Sequence, residues 1–316
     1  MRKNLMHTAI AAALLLGATA ACAAEPPHDQ TIDAGDAEQS LAQSWTLAAD
    51  ARIEIDNVRG SVSVSGWDQP QAQLSGSLGN GSKLVVSGDA QHLLLKVEAA
   101  GKRWFGGNGP DSDSDLVLKV PHGAALKVGV VSADARVSGV TGKSLDVSGV
   151  SGKLMLTADA PQIDVNSVSG DVVLVTAHSG NSDRAHLQTV SGDISARGLA
   201  GRVKLETVSG EIGLDGGQVQ ELETGTVSGD ARLTVTPAPH ARFAMESMSG
   251  DIRLHVPASL SAHLEAETFS GDIHTDFGHV RDKERGSGTN LDARVGDGDG
   301  QIKAQSFSGD IELRKQ

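Results

Sequence analysis

The sequence predicts an all-β protein, a single-stranded parallel β-solenoid of about ten ~20-residue coils with a less regular β N-terminal part. Two observations carry this. First, Val-Ser-Gly-Asp-Ile or a near variant recurs around Gly152, Gly170, Gly192, Gly210, Gly229, Gly250, Gly271 and Gly309. The intervals are 18, 22, 18, 19, 21, 21 and 38 residues, and the last holds a degenerate unit at Leu291–Val295. Upstream, Val131–Val137 is a further variant with Ala133 at the glycine position. Second, apolar residues recur at −7, −5, −2, +2 and +4 from that glycine, as in Val203, Leu205, Val208, Ile212 and Leu214 around Gly210.

The −7/−5 and +2/+4 pairs have period two, so each unit offers two short strands facing one core. The uneven steps around −2 mark a corner, with the −2 side chain expected inward and the glycine expected at positive φ. Period two and β-branched enrichment exclude helical repeats. The missing L-x-x-L-x-L and Asn ladder exclude leucine-rich repeats. A unit this small cannot bury its apolar face alone, so units stack. About ten coils at ~4.8 Å each give a rod of roughly 50 Å. The crossover rule favours a right-handed coil. An up-and-down antiparallel sheet competes, but its strands would not need the same corner every repeat.

In chain order, Arg2 and Lys3 precede the apolar run Ala9–Leu16 and the A-x-A site Ala21-Cys22-Ala23. That is a secretory signal peptide over 1–23, cleaved after Ala23, so the protein is expected in the periplasm or cell envelope. An alternative is a lipid anchor at Cys22, although such sites usually carry Leu where Thr19 stands. The run is too short to span a bilayer, and no later stretch reaches 18 apolar residues, so the mature chain is expected to lack a transmembrane helix. Residues 24–44, rich in Pro, Asp, Gln and Ala, are expected to be a flexible lead-in. Residues 45–125 form an N-terminal β cap or start of the solenoid, and 126–316 the repeat solenoid. Within 45–125, Ile53, Ile55, Val58, Val62 and Val64 surround Gly60 at the same five offsets. Trp67–Pro70 reads as a turn, and Lys83–Val86, Leu93–Val97 and Leu116–Val120 as strands. Gly101–Asp115 and Asp282–Gly288 read as loops.

The 316 residues carry 27 Lys+Arg against 40 Asp+Glu, a net charge of −13 that loss of Arg2 and Lys3 takes to −15. An acidic chain without clustered cations is not a nucleic-acid binder. The one cysteine, Cys22, leaves with the signal peptide, which removes thiol chemistry.

At 53–68 (Ile-x-Ile-x-Asn-Val-x-Gly-Ser-Val-x-Val-x-Gly-Trp-Asp), at 120–128 (Val-Pro-His-Gly-Ala-Ala-Leu-Lys-Val) and in the serial Val-Ser-Gly-Asp-Ile units, the chain resembles the bacterial “putative adhesin” β-strand-repeat family, a domain of unknown function. The resemblance covers residues 45–316. It implies a β-repeat fold and an envelope or surface location, with no catalytic residues to carry over.

Candidate chemistry is sparse. Thr141-Gly142-Lys143-Ser144 lacks the first glycine of a phosphate loop, since Val137 stands there, and precedes an expected strand. Asp111–Asp115 has Leu116 where an EF-hand requires Gly and His122 where it requires Glu. The turn Asp297–Gly300 does not match the Gly-rich calcium nonapeptide. Eleven histidines form no H-x-x-x-H or H-E-x-x-H. The serines at −1 are equivalent copies, whereas a catalytic constellation needs one unequal site. The most interesting feature is an acidic column expected on the exposed edge: Asp171, Asp193, Glu211, Asp230, Asp251, Asp272 and Asp310. Neighbours ~4.8 Å apart in water repel by roughly 1 kcal/mol, tolerable outside and prohibitive in the core. Arg136, Arg232 and Arg253, two residues on, can offset part of this. The column reads first as turn capping and second as a cation- or partner-binding stripe.

No cofactor and no metal are expected. The leading functional expectation is a secreted, non-enzymatic scaffold or adhesin-like binding module whose partner is an envelope protein or a polysaccharide. A polysaccharide-active β-helix enzyme is the alternative, disfavoured by three Trp, five Phe and no Tyr for sugar platforms. A third is self-assembly through end coils, because the unit at Gly309 lies seven residues from the C-terminus.

Overall fold

The structure, a computed structural model, describes residues 25–99, 112–176, 182–282 and 288–316. The signal peptide, Cys22 and Ala23 lie outside the described residues, as do most of Gly101–Asp115 and Asp282–Gly288. The described chain is all β and folds as two facing sheets with one continuous apolar core between them. Among these residues no helix is long and apolar enough to cross a membrane.

Each repeat contributes one strand to a front sheet and one to a back sheet. Ser144–Ser151, Gln162–Ser167, Arg184–Gln188 and Gly201–Thr207 stack in parallel at the front. Leu154–Ala158, Val172–Val175 and Ile194–Arg197 stack in parallel behind them, followed by the start of Ile212–Thr226. The longer strands Ala125–Val140, Ile212–Thr226 and Ala231–Ser247 serve both sheets. Register is strict: Ile163, Ala185, Val203 and Leu222 align in one column, and Val172, Ile194, Ile212 and Ala231 in another. These −7 and +2 positions are buried. One period-two face per strand packs inward, as parallel strands covered by a facing sheet require.

The Gly60 unit also belongs to the stack, because Arg52–Trp67 lies parallel to Ala125–Val140. Beyond it the sheets continue in mixed fashion. At the front His92–Ala99 is parallel to Arg52–Trp67 and antiparallel to Ser82–Gly88. At the back Ser114–Pro121 is parallel to the same strand and antiparallel to Gln71–Leu78. The expected flexible lead-in does not hold: Gln30–Asp33 pairs with Ser82–Gly88, and Gln39–Thr46 pairs with Gln71–Leu78. Leu41 within the lead-in and Trp45 just beyond it are buried in the core, which repays the ordering of this stretch.

The far end departs from chain order. Gly300–Ser306 and Ile311–Lys315, the Gly309 unit, sit between the Gly250 unit and the Gly271 unit in both sheets. The expected unit at Leu291 is not a rung. Thr289–Val295 runs antiparallel along Ala262–Thr268 and covers the front edge. The C-terminal coil is therefore internal, and the premise for polymerisation through it fails.

Candidate functional site

The repeated corner, where front strand passes to back strand, holds the recurrent glycines and the acidic column. The alternation that buries −7 and −5 continues one step, so the −3 residues Ser167, Thr189, Thr207, Thr226, Ser247, Thr268 and Ser306 are buried. Thr207 shows their task. Its Oγ1 accepts a hydrogen bond from the Gly210 N–H at 3.1 Å and donates to the Gly192 carbonyl of the preceding coil at 3.4 Å. Thr189 repeats both contacts, to Gly192 and Gly170. At Ser167, Thr189, Thr207 and Thr268 the hydroxyl thus bonds backbone groups of the tight corner, whereas the hydroxyls of Thr226, Ser247 and Ser306 are buried without a hydrogen-bond partner. A Ser or Thr at −3 in seven units was the available sequence signal.

The parity that sends −3 inward sends −2 outward, which corrects the inward expectation for Val208 and its equivalents. Val131, Val150, Val168, Val190, Val208, Val227, Met248, Phe307 and Phe269 are 41–59% exposed. They form a single file. The Ser169, Ser191, Ser209, Ser228 and Ser249 N–H groups bond the carbonyls of Val150, Val168, Val190, Val208 and Val227 at 2.8–2.9 Å. The Ser308 N–H then bonds Met248, and the Ser270 N–H bonds Phe307. At the end of the file the Phe307 and Phe269 rings stack with centroids 5.0 Å apart and planes 8° from parallel. Single exposed apolar residues are ordinary, whereas nine in line are not.

The corner glycines also differ from expectation. Of the eight, only Gly152 has positive φ, at 118°. At the other seven the cause is proximity: a Cβ at Gly170, Gly192, Gly210, Gly229 or Gly250 would lie closer than 3.0 Å to the backbone carbonyl of the preceding coil's corner glycine. The same holds for Gly309 against Gly250 and for Gly271 against Gly309, following spatial rather than chain order.

The acidic column occupies the outer side of this corner, with Asp171, Asp193, Glu211, Asp272 and Asp310 exposed and Asp230 and Asp251 half-buried. Its carboxylates cap the next coil rather than their own turn. Asp193 Oδ1 accepts from the Glu211 N–H at 2.8 Å, Asp251 Oδ1 from Asp310 at 2.9 Å, and Asp310 Oδ1 from Asp272 at 2.9 Å. Arg232 bridges Glu211 and Asp230, and Arg253 bridges Asp230, Asp251 and Glu312. One oxygen each of Asp171, Asp193, Asp230, Asp251 and Asp310 thus interlocks neighbouring coils. Among the described residues no three His, Cys, Asp or Glu side chains gather as a metal site.

A second surface feature is a shallow groove on the front sheet, lined by Arg52, Lys127, Asp146, Asp164 and Arg184. Burial, and then the neighbouring Asp164 charge, push the Asp146 carboxyl above its ordinary value. At its rim the hydrogen bond from Arg52 holds Glu54 below its own. The turn Thr141–Ser144 leads directly into the strand Ser144–Ser151, as a phosphate loop would not. Asp113 and Asp115 are bound to Arg59 and Ser61, and Asp299 to Ser261.

A family model described as Toastrack DUF4097 matches residues 51–314. No curated protein matches the chain. Among solved structures, it is similar to a “putative cell adhesion protein” of Clostridium sporogenes ATCC 15579, at 10% identity over 88% of this chain and 100% of that one, with a TM-score of 0.25. A “putative adhesin” of Parabacteroides distasonis ATCC 8503 shares 12% identity over 90% and 100%, TM-score 0.41. A “putative lipid binding protein” of the same organism shares 14% over 90% and 99%, TM-score 0.38.

Proposed function

We propose, from the premise that this chain belongs to the Toastrack DUF4097 family over residues 51–314, that it is an exported, non-enzymatic binding module of the cell envelope. The observation that carries this reading is the single file of nine exposed apolar side chains from Val131 to Phe269. A file of this length is an interaction surface, because a solvated edge gains nothing from leaving valine, methionine and phenylalanine in water. The corner glycines, the capping Asp carboxylates and the hydroxyls of Thr189, Thr207 and Thr268 are tied up in coil-to-coil contacts. Their role is to hold the file straight and rigid, so that a partner meets a preorganised surface. Export is supported by the N-terminal sequence, with its basic start, short apolar run and Ala21-Cys22-Ala23.

The test is fractionation of cells expressing the full chain. Wild-type protein is expected outside the cytoplasm and retained on the envelope. A triple variant, Val168→Ser, Val190→Ser and Val208→Ser, should fold equally well and be released into the soluble fraction. Equal retention of the variant would overturn the reading.

A further inference from the structure

We propose that the apolar file is the interface between two copies of this chain, paired side by side along their solenoids. The inference rests on the reading of that file as the binding surface and goes beyond it by naming the occupant, the paired form being the one that the envelope retains. Three properties of the surface select a second copy.

The first is size. At 41–59% exposure, the nine side chains offer roughly 700 Å² per copy, beyond the 300–600 Å² of a typical largest monomer patch. Two copies would bury up to roughly 1,400 Å², within the range of stable specific interfaces.

The second is spacing. The file advances one coil at a time, ~4.8 Å per residue over about 38 Å. An extended peptide presents same-side residues every ~6.6 Å and a helix one turn every 5.4 Å, so either drifts out of step along the file. A second file with the same repeat stays in step, and identical side chains interdigitate into a dry zipper.

The third is the border. A serine at −1 follows every member of the file: Ser132, Ser151, Ser169, Ser191, Ser209, Ser228, Ser249, Ser270 and Ser308. Apolar centre and hydroxyl rim are the anatomy of a protein interface. The acidic column lies beyond the serines, where physiological salt screens its repulsion between copies.

The experiment measures mass against concentration by sedimentation equilibrium in about 150 mM salt, on protein purified from cells expressing the full chain. Wild type is expected to be dimeric at micromolar concentration. Val190→Asp with Val208→Asp places charges at the centre of the file and should weaken pairing at least about a hundredfold. Gln301→Glu, an added charge on the exposed front face, should leave it unchanged. Val190→Thr with Val208→Thr keeps shape and β-propensity and should weaken pairing as well, so the test does not depend on the aspartates folding. A wild type monomeric up to about 100 μM, with a Kd beyond that of stable complexes, overturns the pairing. So does a dimer that both double variants leave intact. If the protein is monomeric yet its envelope retention still depends on Val168, Val190 and Val208, the binding-module reading stands and a different partner covers the file.

Discussion

Replacing Gly210 by alanine is the most direct probe of the corner. The added Cβ would sit closer than 3.0 Å to the Gly192 carbonyl and 3.1 Å from Thr207 Oγ1. Neither neighbour is the free end of a flexible side chain. The carbonyl is backbone of the preceding coil, and the hydroxyl is held by bonds to Gly210 N–H and the Gly192 carbonyl. Relief means separating two coils. Overpacking of this kind costs about 1–3 kcal/mol, and weakening the threonine bridge adds about 1 kcal/mol. We therefore expect a loss of about 2–4 kcal/mol. Gly213→Ala is the internal control. Its Cβ would find nothing nearer than the Ile194 carbonyl at 3.8 Å, so the change should be neutral or stabilise by up to about 1 kcal/mol through the unfolded chain. Gly210→Asn separates clash from backbone strain. Asparagine tolerates positive φ better than alanine, so a strained corner would favour Asn, whereas a clash makes Asn at least as damaging. Urea unfolding followed by circular dichroism gives the midpoints. Gly210→Ala within about 0.5 kcal/mol of wild type, or Asn milder than Ala, would refute the contact argument.

Three further outcomes follow from the same geometry. Val208→Asp, at a side chain 43% exposed in the single chain, should change stability by no more than about 0.5 kcal/mol at protein concentrations low enough to keep copies apart, whereas Val203→Asp, pointing into the core, should prevent folding; parallel expression and thermal melts compare them. Leu313→Ala should cost about 2–5 kcal/mol and expose Ala262–Thr275 to protease, because its strand is wedged between the Gly250 and Gly271 units; intact resistance of that segment would contradict the insertion. Asp146 has a raised carboxyl pKa, so its ionisation burdens the folded state above that pKa, and the burden lifts as pH falls toward the unfolded value. Asp146→Asn should accordingly raise the urea midpoint at pH 7, with an advantage that vanishes below about pH 3.9.

Much of this protein was legible in its sequence. The spacing of Val203, Leu205, Ile212 and Leu214 gives the two strands, their inward faces and the need to stack, because side-chain alternation is a local property of any strand. Val208 shows where hydrophobicity misleads. Its apolar character suggested the core, but parity counted on from Leu205 places Thr207 inside, and parity prevails because side chains alternate along the front strand right up to the corner. The glycines were recognisable as special, though not for the right reason, since a clash with a coil some twenty residues away leaves no mark on local φ preferences. Nor could the sequence reveal that the Gly309 unit slips between those of Gly250 and Gly271, or that Thr289–Val295 runs antiparallel. Equivalent repeats carry equal local signals, so each edge accepts any of them equally well. Only the paths of the connections and the closing of the last open edge decide which unit goes where, and both belong to the tertiary structure.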